Sequence, residues 1–322
     1  MSLLKDFTVF HVGGKGGIGK TKYIFKWGKG KIDNLELCVF EADLSDGKDL
    51  KDNKAYVKQM YDNYGVRVNI LKYCVSDHNG KEDFYIYNDT WASSLFLISD
   101  KARNYSSYDL IPPRWEDHCL VQETREVDVT TFEEINKNHL KKHPDFLSMD
   151  AQGSEFAILS GATSFLEGDL LGVMTEVEFQ EVYEGQPLFA DQAQLLKKHG
   201  FIFIDLIKTM KFYPGPRIGE TFLTVGEGLF LRDFSYFVEK YEDDLDVLFL
   251  SLTKLAFTAT SFGYESYSYV IIDYIKNRWA KEWDVYSLGD NGKLVNDILC
   301  IGKNSKKRKD HKKAYRKYER GE

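Results

Sequence analysis

The stretch from Phe7 to Thr21, FTVFHVGGKGGIGKT, constrains what this chain can fold into more than any other part of it. Phe7, Val9, Phe10 and Val12 form a short apolar run of aromatic and β-branched residues, the composition of a buried strand. A glycine-dense turn follows, and the residues after it, TKYIFKW, can open a helix. Strand, glycine turn and helix in that order aim backbone N–H groups at an anionic ligand. The unit predicts a nucleotide-like ligand.

Two registers of the turn predict different ligands. Gly14, Gly19, Lys20 and Thr21 satisfy G-x-x-x-x-G-K-[ST], a P-loop with the lysine for phosphate oxygens and the threonine for magnesium. With Lys15 included, GKGGIGKT (14–21) also resembles the variant loop of ATPases related to the nitrogenase iron protein. In the other register HVGGKGG resembles the DVGANxG turn of S-adenosylmethionine-dependent methyltransferases. Gly13 and Gly17 then take the two glycine positions, His11 replaces an acid and Lys15 replaces an asparagine. The window alone favours the ATPase.

Composition narrows the classes. A chain of 322 residues, 43% hydrophobic and 29% charged, has the make-up of a soluble protein that can bury a core. Its formal charge of −7 gives no support to bulk nucleic-acid binding. No apolar run approaches the roughly 20 residues that a membrane-spanning helix needs. MSLLKDF lacks a basic start and a long apolar centre, so no secretory leader is expected. Cys38, Cys74, Cys119 and Cys300 are far apart and form no C-x-x-C pair. They read as reduced core thiols of a cytoplasmic protein, and no metal site is expected.

Further along, LELCVFEAD is a second strand-like run, and Glu41 stands at its end about twenty residues past the glycines. That is where a ribose finds a carboxylate for its hydroxyls. A P-loop ATPase has no such requirement. Residues 49–64 carry Leu50, Val57, Met60 and Tyr61 at helical spacing. VRVNILKYCV (66–75) predicts a third strand, and Asn79-Gly80 predicts a hairpin turn between the runs on either side. Ser76 and Asp77, at the exit of that strand, are placed to contact an adenine or to cap a turn. Residues 88–120, with Pro112-Pro113 and several Ser and Asn, read as a long loop or lid over a pocket. VDVTTFEEI (127–135) is a strand followed by a capping signal, Thr131 with Glu134 three residues on.

The stretch HPDFLSMDAQGSEFAILSGATSFLE predicts a fourth strand, Phe146, Leu147 and Met149, delivering Asp150 to its carboxyl end. Gly153 makes the turn, and Phe156, Ile158, Leu159 and Phe165 supply a helix face. Asp150 to Gly153 also imitates the D-x-x-G that follows the acidic strand of a P-loop protein. Taken whole, PDFLSMDAQGSEFAILSGA resembles the DFIKIDVQGAELEVLKGA signature of the FkbM family of methyltransferases. GVMTEVEFQEVYEGQPLFADQAQLLKKHGFIFIDL and EGLFLRD (227–233) resemble the segments that follow it. Upstream, FEAD, the VSD–NG hairpin and WASSL with Ser93 and Ser94 stand in the family's order. The resemblance covers residues 7–235 and decides against the ATPase.

The resemblance implies a class I methyltransferase fold, a doubly wound, mostly parallel Rossmann-like α/β sheet that binds S-adenosylmethionine across its strand carboxyl ends. In that arrangement Gly13, Gly14 and Gly17 admit the methionyl end, Glu41 takes the ribose, and Ser76 and Asp77 lie by the adenine. An acid would attract the cofactor's ammonium group where His11 stands, and Lys15 would repel it. The acceptor implied is a hydroxyl of a sugar, glycan or secondary metabolite, and its proton needs a base. Asp150 is the first candidate base, with Glu176, Glu178 and His11 behind it. In VMTEVEF, strand alternation puts Glu176 and Glu178 on one face, costly in a core unless that face lines a polar pocket.

Residues 1–235 thus form the methyltransferase domain. Residues 236–302 form a helical extension that closes on the domain or on a second copy, as in a homodimer, with Leu248, Leu252, Leu255 and Phe257 at helical spacing. The basic tail, 303–322, reads as a solvated end or as an arm for an acidic partner such as RNA or anionic lipid. Two other function classes stay open: the P-loop ATPase, and a cofactor-binding protein without transfer activity.

Overall fold

Apolar side chains alternate along the first two strands, and the alternation sorts them into two cores. Phe7 and Val9 on β1 (Leu4–Val12) and Leu35, Leu37 and Val39 on β2 (Ile32–Phe40) fall in one cluster. Phe10, Val12, Cys38 and Phe40 fall in another. The period of two puts one core on each face of the sheet. The computed structural model describes residues 4–14, 18–43, 53–107, 113–215 and 219–288. Lys15, Gly17, residues 289–302 of the predicted extension and the whole basic tail therefore lie outside the described residues.

In chain order β1 leads through a 3₁₀ turn, Gly19–Thr21, to α1 (Lys22–Gly28), then β2, α2 (Asn53–Tyr64) and β3 (Val66–Leu71). Next come β4 (Cys74–Val75), β5 (Gly80–Tyr87), β6 (Tyr105–Ser106) and β7 (Val121–Thr130). After α3 (Phe132–Ile135) follow β8 (Phe146–Met149), α4 (Glu155–Ser160), α5 (Thr163–Leu166) and β9 (Gly172–Glu178). The rest is α6 (Phe189–Lys198), β10 (Phe201–Lys211), β11 (Tyr213–Pro214), β12 (Leu223–Arg232), α7 (Phe234–Tyr241), α8 (Leu245–Ser261), α9 (Glu265–Arg278) and α10 (Ala280–Leu288).

The central sheet has seven strands in the order β10-β12-β9-β8-β1-β2-β3. β1, β2, β3, β8 and β9 pair in parallel, and β12 runs antiparallel to both its neighbours. The chain starts in mid-sheet, runs outward to β3 and returns to β8 beside β1. The strand order therefore reverses between β1 and β8, and their carboxyl ends frame the crevice where open α/β sheets bind ligands. One face is covered by α1, α2, α8 and α9. There Leu248, Leu252 and Leu255 are fully buried, at roughly 1.5–3 kcal/mol each. Phe257 on α8 meets Phe7 edge-on at 5.5 Å. The other face carries α3 to α6 through Phe132, Ile158, Leu159, Phe165 and Leu196. No helix among the described residues is long and apolar enough to cross a membrane.

Three local expectations need correction. The run 66–75 is two strands, because the chain leaves the central sheet after Leu71 and β4 joins a small sheet ordered β4-β7-β5. The hairpin expected at Asn79-Gly80 does not form, because β7 lies between the runs on either side. Asn79 Oδ1 instead accepts from Thr130 Oγ1 at 2.8 Å, tying the bend to the end of β7. The helix face expected from Phe156 to Phe165 is split into α4 and α5 at Gly161, where an added Cβ would lie 2.4 Å from the Ser76 carbonyl oxygen. The capping signal is realised: Thr131 Oγ1 accepts the Glu134 N–H at 3.2 Å.

The described part of the lid segment has a core of its own. Tyr87, Ala92, Ile98, Ala102, Tyr105, Trp115 and Cys119 pack with Val182, Tyr183 and Phe212. Residues 97–99 pair with 182–184: Ser99 N–H donates to Val182 O at 2.9 Å and Glu184 N–H to Leu97 O at 2.7 Å. This segment is a packed wall joined to the chain just after β9.

Candidate functional site

Gly13 ends β1 with φ = +88°, and its N–H donates to Phe40 O at 3.0 Å. Asp150 ends β8, and its N–H donates to Val12 O at 3.0 Å. A Cβ on Gly13 would lie 1.7 Å from the Asp150 carbonyl oxygen, so only glycine permits this approach. The tips of β1, β2 and β8 are thereby clasped together at the crevice.

A cleft opens above them, with about 720 Å³ of empty space, part of it open to solvent. Gly13, Glu41 and Asp150 all line it, together with Val75, Phe84 and Trp91. Glu41 is 6% exposed and its Oε1 accepts the Asp43 N–H at 3.0 Å. Trp91 is held from behind by Trp115, with ring centroids 5.4 Å apart, and by His118 at 5.8 Å.

Other sequence candidates stand elsewhere. Ser76 and Asp77 are not among the lining residues. Ser76 is buried under Gly161, and Asp77 is half-exposed and binds His78 Nδ1 at 2.7 Å, which raises the histidine's pKa. Gly14 is buried. His11 is 2% exposed and sits in a relay that a single neutral tautomer satisfies. Thr21 Oγ1 donates to Ser148 Oγ at 2.8 Å, Ser148 lies 3.0 Å from His11 Nδ1, and His11 Nε2 lies 3.2 Å from Gly13 O. This relay ties the start of the helix unit to β8 and to the glycine turn. It also engages the fully buried Thr21 hydroxyl that the P-loop register needs for magnesium, and the ATPase reading has no support here.

Asp150 and Glu176 are brought together by a residue that pattern reading missed. Gln152 holds a left-handed backbone, φ = +52°, and turns its amide back over the strand ends. Gln152 Nε2 donates to Asp150 Oδ1 at 2.6 Å and to Glu176 Oε2 at 3.2 Å. Glu178, on the same side of β9, is 1% exposed, and its Oε2 is buried without a hydrogen-bond partner. Glu155 is fully buried and accepts two backbone N–H groups of the turn, Ala151 at 2.5 Å and Gly153 at 2.9 Å. Its place in the SEF run beside the glycine turn was the one sequence signal for that role.

This crowding governs protonation. Burial pushes Glu155 up to about 7, with the Asp150 charge adding to the rise. Burial likewise raises Asp150, opposed by the Gln152 hydrogen bond and the charge of Lys208. Glu176 and Glu178 stand well above the ordinary carboxylate range, chiefly through burial and then through their acidic neighbours. Glu176 and Glu178 are therefore held as neutral acids, and Asp150, whose anion the Gln152 hydrogen bond and the Lys208 charge favour, is the member of the cluster suited to take up a proton released in the cleft. No group of three or more potential metal ligands occurs among the described residues.

A family model described as "Methyltransferase FkbM domain" matches residues 40–203. Those residues run from the end of β2 to the start of β10 and include Glu41, Asp150, Gln152 and Glu176. Among solved structures, the crystal structure of Methyltransferase FkbM from Methylobacillus flagellatus KT matches with 12% sequence identity and a TM-score of 0.37. That match covers 70% of this chain and 44% of the other, so the chain spans less than half of that protein's length. A search of curated proteins gives no match.

Proposed function

The chain belongs to the FkbM methyltransferase family, and from that premise we propose that it transfers a methyl group from S-adenosylmethionine to a hydroxyl of a sugar, glycan or secondary metabolite. The observation that carries the reading is the convergence of Gly13, Glu41 and Asp150 on one cleft at the strand switch point. The residues fit the cofactor. Gly13 lets the tips of β1 and β8 close up into the cleft floor, Glu41 is a buried carboxylate suited to ribose hydroxyls, and Val75 and Phe84 offer apolar surface to a flat base. We further propose the doubly wound class I arrangement, supported by the reversal of strand order between β1 and β8. A reducing, cytoplasmic setting is supported by Cys38, Cys74 and Cys119, all buried free thiols.

S-adenosylmethionine supplies an activated methyl group on a sulfonium. What remains for the chain is to orient the acceptor, exclude water and hold a proton. With the cofactor bound, the acceptor's hydroxyl proton would pass to a carboxylate of the cleft. Asp150, at the cleft wall, is the group proposed to receive it, with Glu176 and Glu178 behind. Trp91, Ser93 and Leu95 on the packed wall face the same space and are proposed to contact the acceptor.

Calorimetric titration with S-adenosylhomocysteine, beside magnesium-ATP, tests the reading. The expected result is binding of the first and none of the second. Glu41→Ala is expected to weaken S-adenosylhomocysteine binding by about 1–3 kcal/mol, the cost of leaving buried hydroxyls unpaired. Binding of ATP alone, or an affinity indifferent to Glu41→Ala, would sink it.

A further inference from the structure

Gln152 is a buried polar residue in the turn after β8, and each of its side-chain polar atoms has a partner. Its amide nitrogen reaches both Asp150 at 2.6 Å and Glu176 at 3.2 Å. Its amide oxygen lies 2.8 Å from the Tyr183 hydroxyl, itself 3.0 Å from Ala92 O. Its backbone carbonyl accepts from Ser94 Oγ at 2.6 Å. Ala92 and Ser94 belong to the wall segment, and Tyr183 anchors that segment through the pairing of 97–99 with 182–184. One residue therefore touches β8, β9 and the wall at once.

We propose that Gln152 is a positioning residue that holds the Asp150 and Glu176 carboxylates as one hydrogen-bonded pair and ties that pair to the seated wall segment through Tyr183 and Ser94. The inference rests on the methyltransferase reading for the work the pair does. A primary amide is suited to the task because it carries two N–H donors on one nitrogen and an acceptor opposite. With one N–H on each carboxyl group, the amide favours the ionised form of Asp150 beside a Glu176 that burial and its acidic neighbours hold neutral. The single Tyr183 hydroxyl hydrogen, nearer Gln152 Oε1 at 2.8 Å than Ala92 O at 3.0 Å, favours the amide orientation that turns Nε2 toward the carboxyl groups. Without it the amide could turn its oxygen toward them, and an ionised Asp150 would lose its donor. The left-handed backbone at a residue other than glycine carries a conformational cost, and these contacts offset it.

The groups that face the pair come from every neighbouring element. They are Glu155 on α4, Glu178 on β9, Glu227 on β12, Lys208 on β10 and Tyr183 beyond β9. Of these groups Lys208 favours an ionised Asp150, and the Gln152 donors favour it more strongly.

The test is a pH titration of the Asp150 carboxyl carbon by ¹³C NMR in full-length protein, the resonance being identified by its loss in Asp150→Asn. In Gln152→Leu the midpoint is expected to move to higher pH, because the donors that favour the anion are gone. Tyr183→Phe keeps the amide but releases its oxygen end. There the midpoint is expected to rise by less, which also keeps the inference testable should Gln152→Leu fail to fold. A midpoint unchanged in Tyr183→Phe, or unchanged in folded Gln152→Leu, overturns the proposal even where the melting temperature falls. S-adenosylhomocysteine titrated into the same samples reports separately: wild-type protein that does not bind it overturns the methyltransferase reading and leaves the carboxylate titration standing.

Discussion

The Gly13 Cα lies against the Asp150 carbonyl so closely that a Cβ would come within 1.7 Å of the oxygen. Two strand ends separated by more than a hundred residues of chain are thus joined by backbone alone, and the cleft floor depends on that contact. Gly13→Ala combines this overlap with a φ of +88° that other residues rarely adopt. We expect it to destabilise the protein by more than about 3 kcal/mol, read as a lowered denaturant midpoint at constant m-value. A loss below about 1 kcal/mol would mean that the two strand ends can part without cost.

Phe84 lines the cleft, whereas Asp77 is half-exposed and paired with His78. Under the proposed function, Phe84→Ala is expected to weaken S-adenosylhomocysteine binding roughly tenfold or more, through the loss of about 1.5–3 kcal/mol of apolar burial. Asp77→Ala is expected to change it less than about threefold, since an exposed pair contributes little. The reverse ranking by calorimetry would return the adenine to the Ser76–Asp77 end of β4.

The buried acids predict a pH dependence with a definite sign. Glu176 is held well above the ordinary carboxylate range by burial and by Asp150, Glu178, Glu155 and Glu227. The folded state therefore binds its proton more tightly than the unfolded chain does. That stabilisation is complete below the unfolded pKa and is lost as pH rises through the folded one. Glu176→Gln keeps an oxygen for the Gln152 donor and removes the titration. Its melting temperature relative to wild type should climb as pH rises above the ordinary carboxylate range, from about pH 5 upward. A difference that stays flat or falls as pH rises would show that Glu176 ionises freely in the fold.

The amino-acid sequence by itself determined the parts that rest on neighbouring residues. The apolar alternation of Phe7 to Val12 marked a strand, and Phe146 to Met149 marked another that presents Asp150 at its end. The pair Thr131 and Glu134 announced a helix start, and the spacing of Leu248, Leu252 and Leu255 announced α8. Each follows from a local period or a three-residue reach, so it is written in adjacent letters. The family signature around Asp150 is of the same kind.

Only the tertiary structure decided which of these pieces meet. An Asn-Gly pair favours a hairpin, but β7 took the place between the two runs and left the dipeptide as a bend. Pairing is won by whichever strand buries the better face. His11 and Thr21 could each have served a ligand, yet Ser148, from a strand more than a hundred residues away, links them in one buried relay. Gln152 is an unremarkable letter between Asp150 and Gly153 until the fold brings Glu176 and Tyr183 within reach of its amide. A buried polar group must find partners, but their identity depends on which elements converge, and that is a property of the packed chain.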